Sequence, residues 1–408
     1  MLITLIIMYN HILLNTLNIN DNDDTNTIME KIRNLGLVCK SNKELTRLVV
    51  KYPIDKRRSN DELIRKSRGI IIDVPKKQVI CHSLEGSVSL QHFLENVSWN
   101  DTVIEEVYDG TMFNVYYDND IDAWKVSTKY SLTPETTYYR SNKSFIELFN
   151  EIVPFNQLAS KLDKDYNYVF LMCHKDHRNV TPFTNSIVYH LETTNVKTGE
   201  KIYLDIGLPR CDIVQLYNTV CKFPKQLENI NELHDLVNKC EWNVPGYMLF
   251  SKDRKWRCKL ENPNFQVVQK LLEGQSDFRF VAMNYITRKI STEQWSNYIK
   301  YYPSLNNDLT VIQNEVQEFV KDVYQWYVDI HCFKKELTIP KWVKSPMYYV
   351  HQLFISKKKE NVKGYRINNM EVNECLINKL DTPLYYQLIR DRHIEKNKNN
   401  SNNDDTMN

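Results

Sequence analysis

The sequence predicts an α+β fold in which antiparallel β-sheets come first and an all-helical domain follows. From Arg68 to Lys259 the chain consists of short β-rich runs separated by turn signals. After about residue 264 the apolar residues recur at helical spacing instead. Hydrophobic residues make up 42% and charged residues 25% of the 408 residues, which is the composition of ordinary globular domains.

Changes of pattern along the chain predict its organisation. Residues 18–26 are rich in Asp and Asn and read as a linker, so folded sequence is expected to begin near Ile28. Residues 29–50 have helical spacing, and the Asn- and Lys-rich end of the chain is expected to be disordered. The predicted segments are an N-terminal flank (1–28), a β-rich domain (29–263), a helical domain (264–392) and a disordered tail (393–408).

Alternating and β-branched residues predict the strands of the β-rich domain. These strands span 68–74, 102–108, 112–117, 123–130, 166–173, 186–196, 201–206 and 246–250. Asp109-Gly110 and Thr198-Gly199 stand between apolar runs and predict hairpin turns. Helices are expected at 142–151 and 213–220. Hairpins mixed with scattered helices indicate α+β architecture and not a parallel sheet.

One long amphipathic helix dominates the predicted helical domain, with Asn307 or Asp308 as its N-cap. Its apolar stripe is Leu309, Ile312, Val316, Phe319, Val320, Val323 and Tyr327. Further helices are expected at 264–274, 291–301, 345–356 and 371–390.

Charge restricts how this chain could bind nucleic acid. The net charge is +2, so any contact with RNA must come from a local basic patch. Two basic runs qualify, although such runs are more often solvated surface. Their candidate RNA-binding residues are Lys56, Arg57 and Arg58 in one run, and Lys357, Lys358 and Lys359 in the other.

Cysteine usage and hydropathy indicate an intracellular protein without a membrane segment. The nine cysteines are scattered without a C-x-x-C pair, which predicts free thiols in the reducing cytoplasm or nucleus. The apolar N-terminus lacks a basic region and a cleavage site and is too short to span a bilayer. Residues 173–177 (CHKDH) lack a second Cys/His pair at zinc spacing, so an ordinary polar loop is expected there.

Six segments, taken in order, carry a family resemblance. They are KSRGIIIDVPKKQVI (66–80), EEVYDGT (105–111), STK (127–129), YVFLMCHKDHRNV (168–180), YHLETTNVKTGE (189–200) and NVPGYMLFSKDRKWRCKLENPNF (243–265). Together they resemble the motif series of ATP-dependent RNA ligases of the phage tRNA-repair type, which belong to the covalent nucleotidyltransferase superfamily. The resemblance covers about residues 30–390.

The resemblance implies a fold, an activity and a set of site residues. It implies a nucleotidyltransferase domain with ATP-grasp-like antiparallel sheets of the ligase and capping-enzyme type at 29–263, followed by the family's helical domain. In such ligases a lysine of a K-x-D-G motif attacks ATP to form lysyl-AMP with Mg²⁺. The nucleotide-binding remnants that it implies are Arg68, Asp109, Gly110, Lys129, Gly246 and Lys259. It also matches Arg178 to a retained basic residue of the family, which makes Arg178 a further candidate for RNA binding.

The departures from the family pattern fall at functional positions. Val107 occupies the place of the lysine nucleophile, and Leu171 and Pro245 occupy the places of two glutamates. The second lysine of the K-x-K segment aligns with Glu261. Valine cannot form a phosphoramidate, Leu and Pro offer Mg²⁺ no oxygen ligand, and a carboxylate repels a triphosphate. A catalytically inactive copy without a bound metal is therefore predicted.

Three functions follow from these residues. The first is an inactive ligase-like scaffold that binds RNA, such as a tRNA-like end, or a protein partner. The second is an active RNA ligase that uses ATP and Mg²⁺ with a displaced lysine, Lys125 or Lys129. The third is an interaction protein that binds no nucleic acid. Tyr108, next to Val107, is expected to point to the opposite face of the sheet.

Overall fold

The computed structural model describes residues 11–135, 143–202, 204–209, 227, 229–271, 278–360 and 364–404. The chain divides into two compact units, Met1–Lys270 and Leu271–Asn408. The helix predicted at 213–220 lies outside the described residues. The mixture of antiparallel sheets and helices confirms the predicted α+β class.

Three antiparallel sheets build the first unit. The four-stranded sheet has the order β1-β2-β3-β4, with β1 Val38–Ser41, β2 Arg47–Lys51, β3 Arg68–Asp73 and β4 Gln78–Cys81. The three-stranded sheet has the order β12-β11-β5, with β5 Thr102–Glu106, β11 Gly246–Ser251 and β12 Arg257–Glu261. The five-stranded sheet has the order β10-β9-β8-β6-β7, with β6 Thr111–Asp118, β7 Ala123–Thr128, β8 Tyr166–Cys173, β9 Ile187–Asn195 and β10 Lys201–Ile202.

Helices cover these sheets and complete their cores. The described helices up to residue 271 are α1 Ile12–Leu17, α2 Thr25–Asn34, α3 Glu62–Lys66, α4 Leu90–Asn96, α5 Phe145–Ile152, α6 Phe155–Ala159, α7 Ile230–Lys239 and α8 Pro263–Leu271. Each sheet has its own buried cluster, for example Phe113, Phe149 and Phe170 between the five-stranded sheet and α5. Burying such a side chain contributes roughly 1.5–3 kcal/mol relative to exposure.

The N-terminal part of the chain is more structured than the sequence predicts. Leu13 and Leu17 of α1 are buried in the core of the four-stranded sheet, so part of the expected flank belongs to that core. The Asp24 side chain accepts a hydrogen bond from the Thr27 N–H and starts α2.

The expectation of helical spacing through residue 50 is also wrong, because β1 and β2 form an antiparallel pair there. Leu48, Val49 and Val50 are consecutive buried residues, and such a run does not distinguish a helix from a strand.

The two predicted hairpin turns have different outcomes. Thr198-Gly199 does connect the paired strands β9 and β10, and Gly199 has a φ of +67° that suits such a turn. Asp109-Gly110 is not a hairpin turn, since β5 belongs to the three-stranded sheet and β6 to the five-stranded sheet. Residues 107–110 therefore form a crossover between two sheets.

The second unit is helical, as predicted. Its described helices are α9 Phe278–Ile286, α10 Thr292–Tyr301, α11 Leu305–Tyr327, α12 Lys341–Lys359, α13 Asn369–Lys379 and α14 Thr382–Asp404. Most of the predicted apolar stripe of α11 is buried. The predicted cap is wrong, because α11 already begins at the fully buried Leu305 and no side chain caps it.

The expected helix at 371–390 is divided into α13 and α14, and α14 continues to Asp404 instead of ending before the predicted tail. Tyr385 and Ile389 are buried and anchor the first turns of α14. Each further residue that joins an existing helix gains one backbone hydrogen bond, so the Asn-rich segment can extend α14 without burying apolar side chains of its own.

Two further observations concern the described residues. No helix among them is both long and apolar enough to cross a bilayer. Their cysteines are free thiols, and Cys332 is the exposed one among them.

Candidate functional site

Position 107 lies in a row of three residues that crosses the three-stranded sheet. The Val107 N–H donates to the Gly246 carbonyl oxygen at 3.2 Å, which extends the β5–β11 ladder by one residue. Gly246 in turn pairs with Glu261. Because side chains alternate along a strand, Val107 lies on the sheet face of Lys259 and Glu261, opposite the core residue Tyr247.

Only glycine fits in the middle of this row. Gly246 has a φ of +123°, and a Cβ atom there would lie 2.2 Å from the Leu260 carbonyl oxygen. Across the row the sheet therefore presents a half-buried branched hydrocarbon at Val107, no side chain at Gly246 and a carboxylate at Glu261.

The neighbouring face of the five-stranded sheet is apolar where the family pattern has a glutamate. Leu171 pairs with Met112 on one side and Tyr189 on the other, and it packs against the cluster of Leu84, Met112 and Val169. The Tyr108 ring stacks on Tyr189 at a centroid distance of 4.7 Å. Burial and then Glu106 raise the pKa of Tyr108.

Asp109 and Gly110 hold the crossover in place. Asp109 Oδ2 accepts hydrogen bonds from the backbone N–H groups of Val180 at 2.7 Å and Thr181 at 2.9 Å. A Cβ atom at Gly110 would lie 2.5 Å from the Met172 carbonyl oxygen, so β6 can approach β8 this closely only with glycine. Both residues of the D-G dipeptide thus have a structural explanation.

A cationic cluster surrounds Lys129, and it includes Arg68, Lys259, Arg57 and Lys51. Burial, and after it the charges of Arg68, Arg57, Lys259 and Lys51, together lower the pKa of Lys129 to about 7. Burial also lowers the pKa of Lys259, although Glu261 lies 3.3 Å away. Positive groups that destabilise one another in this way would be stabilised by a bound anion.

The strand β3 places Arg68 beside Lys129. Gly69 has a φ of +80°, and a Cβ atom there would lie 2.7 Å from the Lys129 Cα. The absence of a side chain at Gly69 therefore lets the backbone of β3 lie against the end of β7.

The residues at the expected metal positions do not fit Mg²⁺. Leu171 and the buried Pro245 offer no side-chain oxygen. The Glu261 carboxylate is already engaged with Lys259 and Arg58. These three positions therefore do not supply the oxygen ligands that a Mg²⁺ ion would need.

Within the described ranges, one other group has the composition of a metal site, namely Glu151, His174 and Asp176. His174 Nδ1 accepts a hydrogen bond from the Asp176 N–H at 3.1 Å, so the ring proton belongs on Nε2. Nε2 lies 3.3 Å from Glu151 Oε2 and donates to it. Neither ring nitrogen keeps a free lone pair for a metal in this arrangement.

The candidate RNA-binding residues fall into three groups. Arg57 is an exposed member of the cationic cluster, the adjacent Arg58 is also exposed, and Lys56 is half-buried. Arg178 instead donates from Nε to the Val180 carbonyl oxygen at 2.9 Å, so it supports its own loop.

Lys357, Lys358 and Lys359 form the last turn of α12 in the second unit, where positive charge favours the helix C-terminus. Among the lysines expected as substitutes for the nucleophile, Lys125 is exposed on β7 and pairs with Tyr116. Only Lys129 belongs to the cationic cluster.

Arg257, which is 8% exposed, is a buried basic residue of this site that the motif pattern did not indicate. It lies on β12 two residues before Lys259 and therefore shares its sheet face. The alternation of charged and uncharged residues in R-C-K-L-E could have indicated this position, because a strand with that pattern places Arg257, Lys259 and Glu261 on one face.

Comparison with known proteins finds solved structures with a similar fold and low sequence identity. No family model and no curated protein matches the sequence. Among solved structures, the chain is similar to a candidate ATP-dependent DNA ligase from Aquifex aeolicus, with 10% identity, a TM-score of 0.38 and coverage of 75% of this chain and 80% of that one.

The chain is also similar to an archaeal ATP-dependent RNA ligase, with 9% identity, a TM-score of 0.37 and coverage of 88% of this chain and 98% of that one. A mutant RNA ligase from Naegleria gruberi with ATP and Mn is 10% identical, with a TM-score of 0.31 and coverage of 44% of this chain and 54% of that one.

Proposed function

We propose that this protein is an RNA-ligase-like scaffold that does not form an AMP adduct at position 107 and binds RNA through the cationic cluster. The row of Val107, Gly246 and Glu261 carries the proposal. A hydrocarbon stands where the attacking amine would have to be, and a carboxylate stands on the same row where a triphosphate would be repelled.

The loss of metal ligands supports the same proposal. Mg²⁺ needs hard oxygen ligands, and Leu171 belongs to an apolar cluster while Pro245 is buried. Restoring one residue would therefore not restore the site, because both the nucleophile and the carboxylates are absent.

RNA is the ligand that this cluster suits best. Glu261 offsets part of the charge of Arg58 and Lys259, but Arg57, Arg68 and Lys129 add further positive charge in the same region. Phosphodiester groups supply anions at regular spacing, and exposed Arg57 and Arg58 are accessible to them.

Two measurements test the proposal on the full chain. Incubation with ATP and either Mg²⁺ or Mn²⁺, followed by mass spectrometry, is expected to show no added AMP. RNA affinity, measured by fluorescence anisotropy, is expected to fall steeply between about 50 and about 200 mM salt. Arg68→Gln should weaken RNA binding, whereas Lys125→Gln, on exposed β7 surface, should leave it within about twofold.

A second function is favoured by one observation, the lowered pKa of Lys129. A lysine that is partly neutral near pH 7 is a competent nucleophile, and neighbouring cations are a known means of producing one. An AMP adduct mapped to Lys129 would establish this function and overturn the inactive scaffold. RNA binding that is absent at all salt concentrations would instead leave an interaction protein without nucleic acid.

A further inference from the structure

An open pocket of about 760 Å³ lies within the helical unit, between the connection from α9 to α10 and the helices α11 and α13. Pockets that bind ligands typically measure roughly 300–1,000 Å³. The apolar part of its lining includes Val316 of α11 and Ile377 of α13, which are buried, and the half-buried Ile286 and Ile290. Branched side chains of this kind suit an aliphatic group of a ligand.

Three carboxamides line the pocket beside these apolar residues. Gln313 and Gln317 are one turn apart on α11, and Asn373 lies one turn before Ile377 on α13. Among the described residues, no hydrogen bond engages the three carboxamide groups. A carboxamide offers an acceptor oxygen and N–H donors, which are also the two functions of a peptide group. The set therefore matches the main chain of an extended peptide.

The charge of the pocket favours one acidic group on the ligand. The lining residues that the structure describes include two cations, Arg288 and Lys289, and no carboxylate. Arg288 is neutralised by Glu374, to which its Nη1 and Nη2 donate at 3.0 Å and 2.6 Å. Lys289 has no ionic partner in the part of the chain that the structure describes. A carboxylate on the ligand would complement this lysine.

We propose that this pocket binds an extended peptide segment of a partner protein, with an aliphatic side chain against Val316 and Ile377 and an acidic side chain at Lys289. The inference goes beyond the proposed function and concerns the helical unit alone. RNA suits the pocket less well, because a phosphate backbone binds through several cations and the described lining leaves one unpaired. The aromatic ring in that lining, Tyr285, already stacks on Trp295 at a centroid distance of 4.8 Å, which leaves one face at most for a base.

Selection from a peptide library provides the first test. Short random peptides displayed on phage are selected on the full chain, and phages that also bind Gln317→Trp are removed. Gln317 is exposed on α11, so an indole there would fill the pocket without entering the core. The selected peptides are expected to share an aliphatic residue close to Asp or Glu. Absence of enriched peptides, or a consensus without an aliphatic residue, would overturn the inference.

Variants test the lining with a labelled synthetic peptide of the selected sequence in fluorescence anisotropy. Asn373→Leu is expected to weaken binding about tenfold, because it removes hydrogen bonds to the peptide main chain. Asn378→Leu, at an exposed position of α13 outside the lining, should leave the affinity unchanged. Equal affinities of these two variants would contradict the assignment of the carboxamide.

The acidic side chain has its own test. A peptide with Asn or Gln in place of the acidic residue should bind wild type more weakly, and Lys289→Met should bind both peptides equally. Lys300→Met removes a charge from exposed α10 surface outside the lining and should keep the difference. A difference that persists in Lys289→Met would place the carboxylate elsewhere and overturn that part of the inference.

The blocked variant also separates peptide from nucleic acid. Gln317→Trp should lose peptide binding and keep RNA binding, whereas Asn314→Trp, at an exposed position of α11 outside the lining, should keep both. If Gln317→Trp loses RNA binding and keeps the peptide, the pocket is a nucleic-acid site and the inference is wrong. Failure of all RNA binding would overturn the proposed scaffold and leave the peptide site standing. If Gln317→Trp does not fold, the comparison of Asn373→Leu with Asn378→Leu decides.

Discussion

The carboxylate of Asp109 accepts a hydrogen bond from the backbone N–H of Val180 at 2.7 Å, and this contact joins the crossover 107–110 to the loop after β8. The same oxygen also accepts from Thr181. The motif resemblance implies a nucleotide-binding role for Asp109, but in this structure backbone hydrogen bonds fix its side chain. That structural role accounts for the D-G dipeptide without a bound nucleotide.

Asp109→Ala should lower the free energy of unfolding by about 2–4 kcal/mol, because it leaves two backbone N–H groups without their charged acceptor. Asp109→Asn keeps an acceptor oxygen and should cost about 1–2 kcal/mol. Urea unfolding of both variants measures the difference. Equal losses would show that the charge and not the acceptor geometry stabilises the crossover.

Gly110→Ala should destabilise the first unit by about 2–4 kcal/mol, since its Cβ would lie 2.5 Å from the Met172 carbonyl oxygen. Gly86→Ala is the matched control, because neither glycine has a positive φ and the nearest atoms at Gly86 are 3.4 Å away. The control should change stability by less than about 1 kcal/mol. A larger loss at Gly86 than at Gly110 would contradict the close approach of β6 to β8.

Val107→Lys is expected to produce no AMP adduct with ATP and Mg²⁺. The new amine would share a row with Glu261 and would still lack the carboxylates that Leu171 and Pro245 replace. Mass spectrometry of the intact variant measures the outcome. Adduct formation on Lys at position 107 would show that the metal site is intact and would contradict the account given for those two positions.

The affinity for RNA with hydroxyl ends should fall about two- to tenfold as the pH rises from about 6 to about 8, because one charged contact is lost. Lys129 has a pKa near 7 in the folded protein, so its charge disappears over this interval. Hydroxyl ends are used because phosphodiesters do not titrate there. Lys129→Arg should remove most of the pH dependence, while Arg68, Arg57, Lys259 and Lys51 remain around it.

Stability should depend on the same titration. Unfolding restores the pKa of Lys129 to its ordinary value of 10.5, so the unfolded chain binds more protons between about pH 7 and about pH 10.5. The contribution of this lysine to unfolding free energy therefore rises with pH in that interval. A Lys129→Met variant whose stability relative to wild type does not change with pH would contradict the lowered pKa.

Arg392→Met should destabilise the helical unit by about 1.5–3 kcal/mol, because it removes hydrogen bonds between charged groups. Arg392 is 2% exposed and donates to Asp322 at 2.7 Å and to Glu318 at 3.2 Å, and after its loss Asp322 keeps only Lys396 as an ionic partner among the described residues. Arg390→Met, on the exposed side of α14, should be nearly neutral. Circular dichroism during thermal unfolding compares the two variants, and equal melting temperatures would argue against a stabilising role for the pair.

The spacing and composition of apolar residues predicted most helices and strands, but they did not predict which strands pair with one another. The run 166–173 was predicted with the bounds of β8, since alternation and β-branching are local properties. The dipeptide Asp109-Gly110 was misread, because a local turn signal cannot tell whether the next strand joins the same sheet. Residues 38–51 were misread because a short apolar run fits either period.

At the candidate site, too, local sequence indicated some residues, while others depend on the three-dimensional fold. Motif order alone assigned Val107 and Leu171 to the candidate site, and their roles there stay predictions. The burial of Arg257 could not be predicted, because an arginine is ordinarily exposed and the segment that bridges to its neighbour Cys258, at Val88, is distant in sequence. The lowered pKa of Lys129 likewise depends on charges that only the fold brings together.

The stacked rings of Tyr108 and Tyr189 connect the crossover with the five-stranded sheet. Since excitation of one ring perturbs its stacked neighbour, this pair gives the protein a built-in optical reporter in the near ultraviolet. Tyr108→Trp would add a tryptophan at this contact to the seven already present, and the difference between its emission and that of wild type would report on the stacking during denaturation or ligand addition.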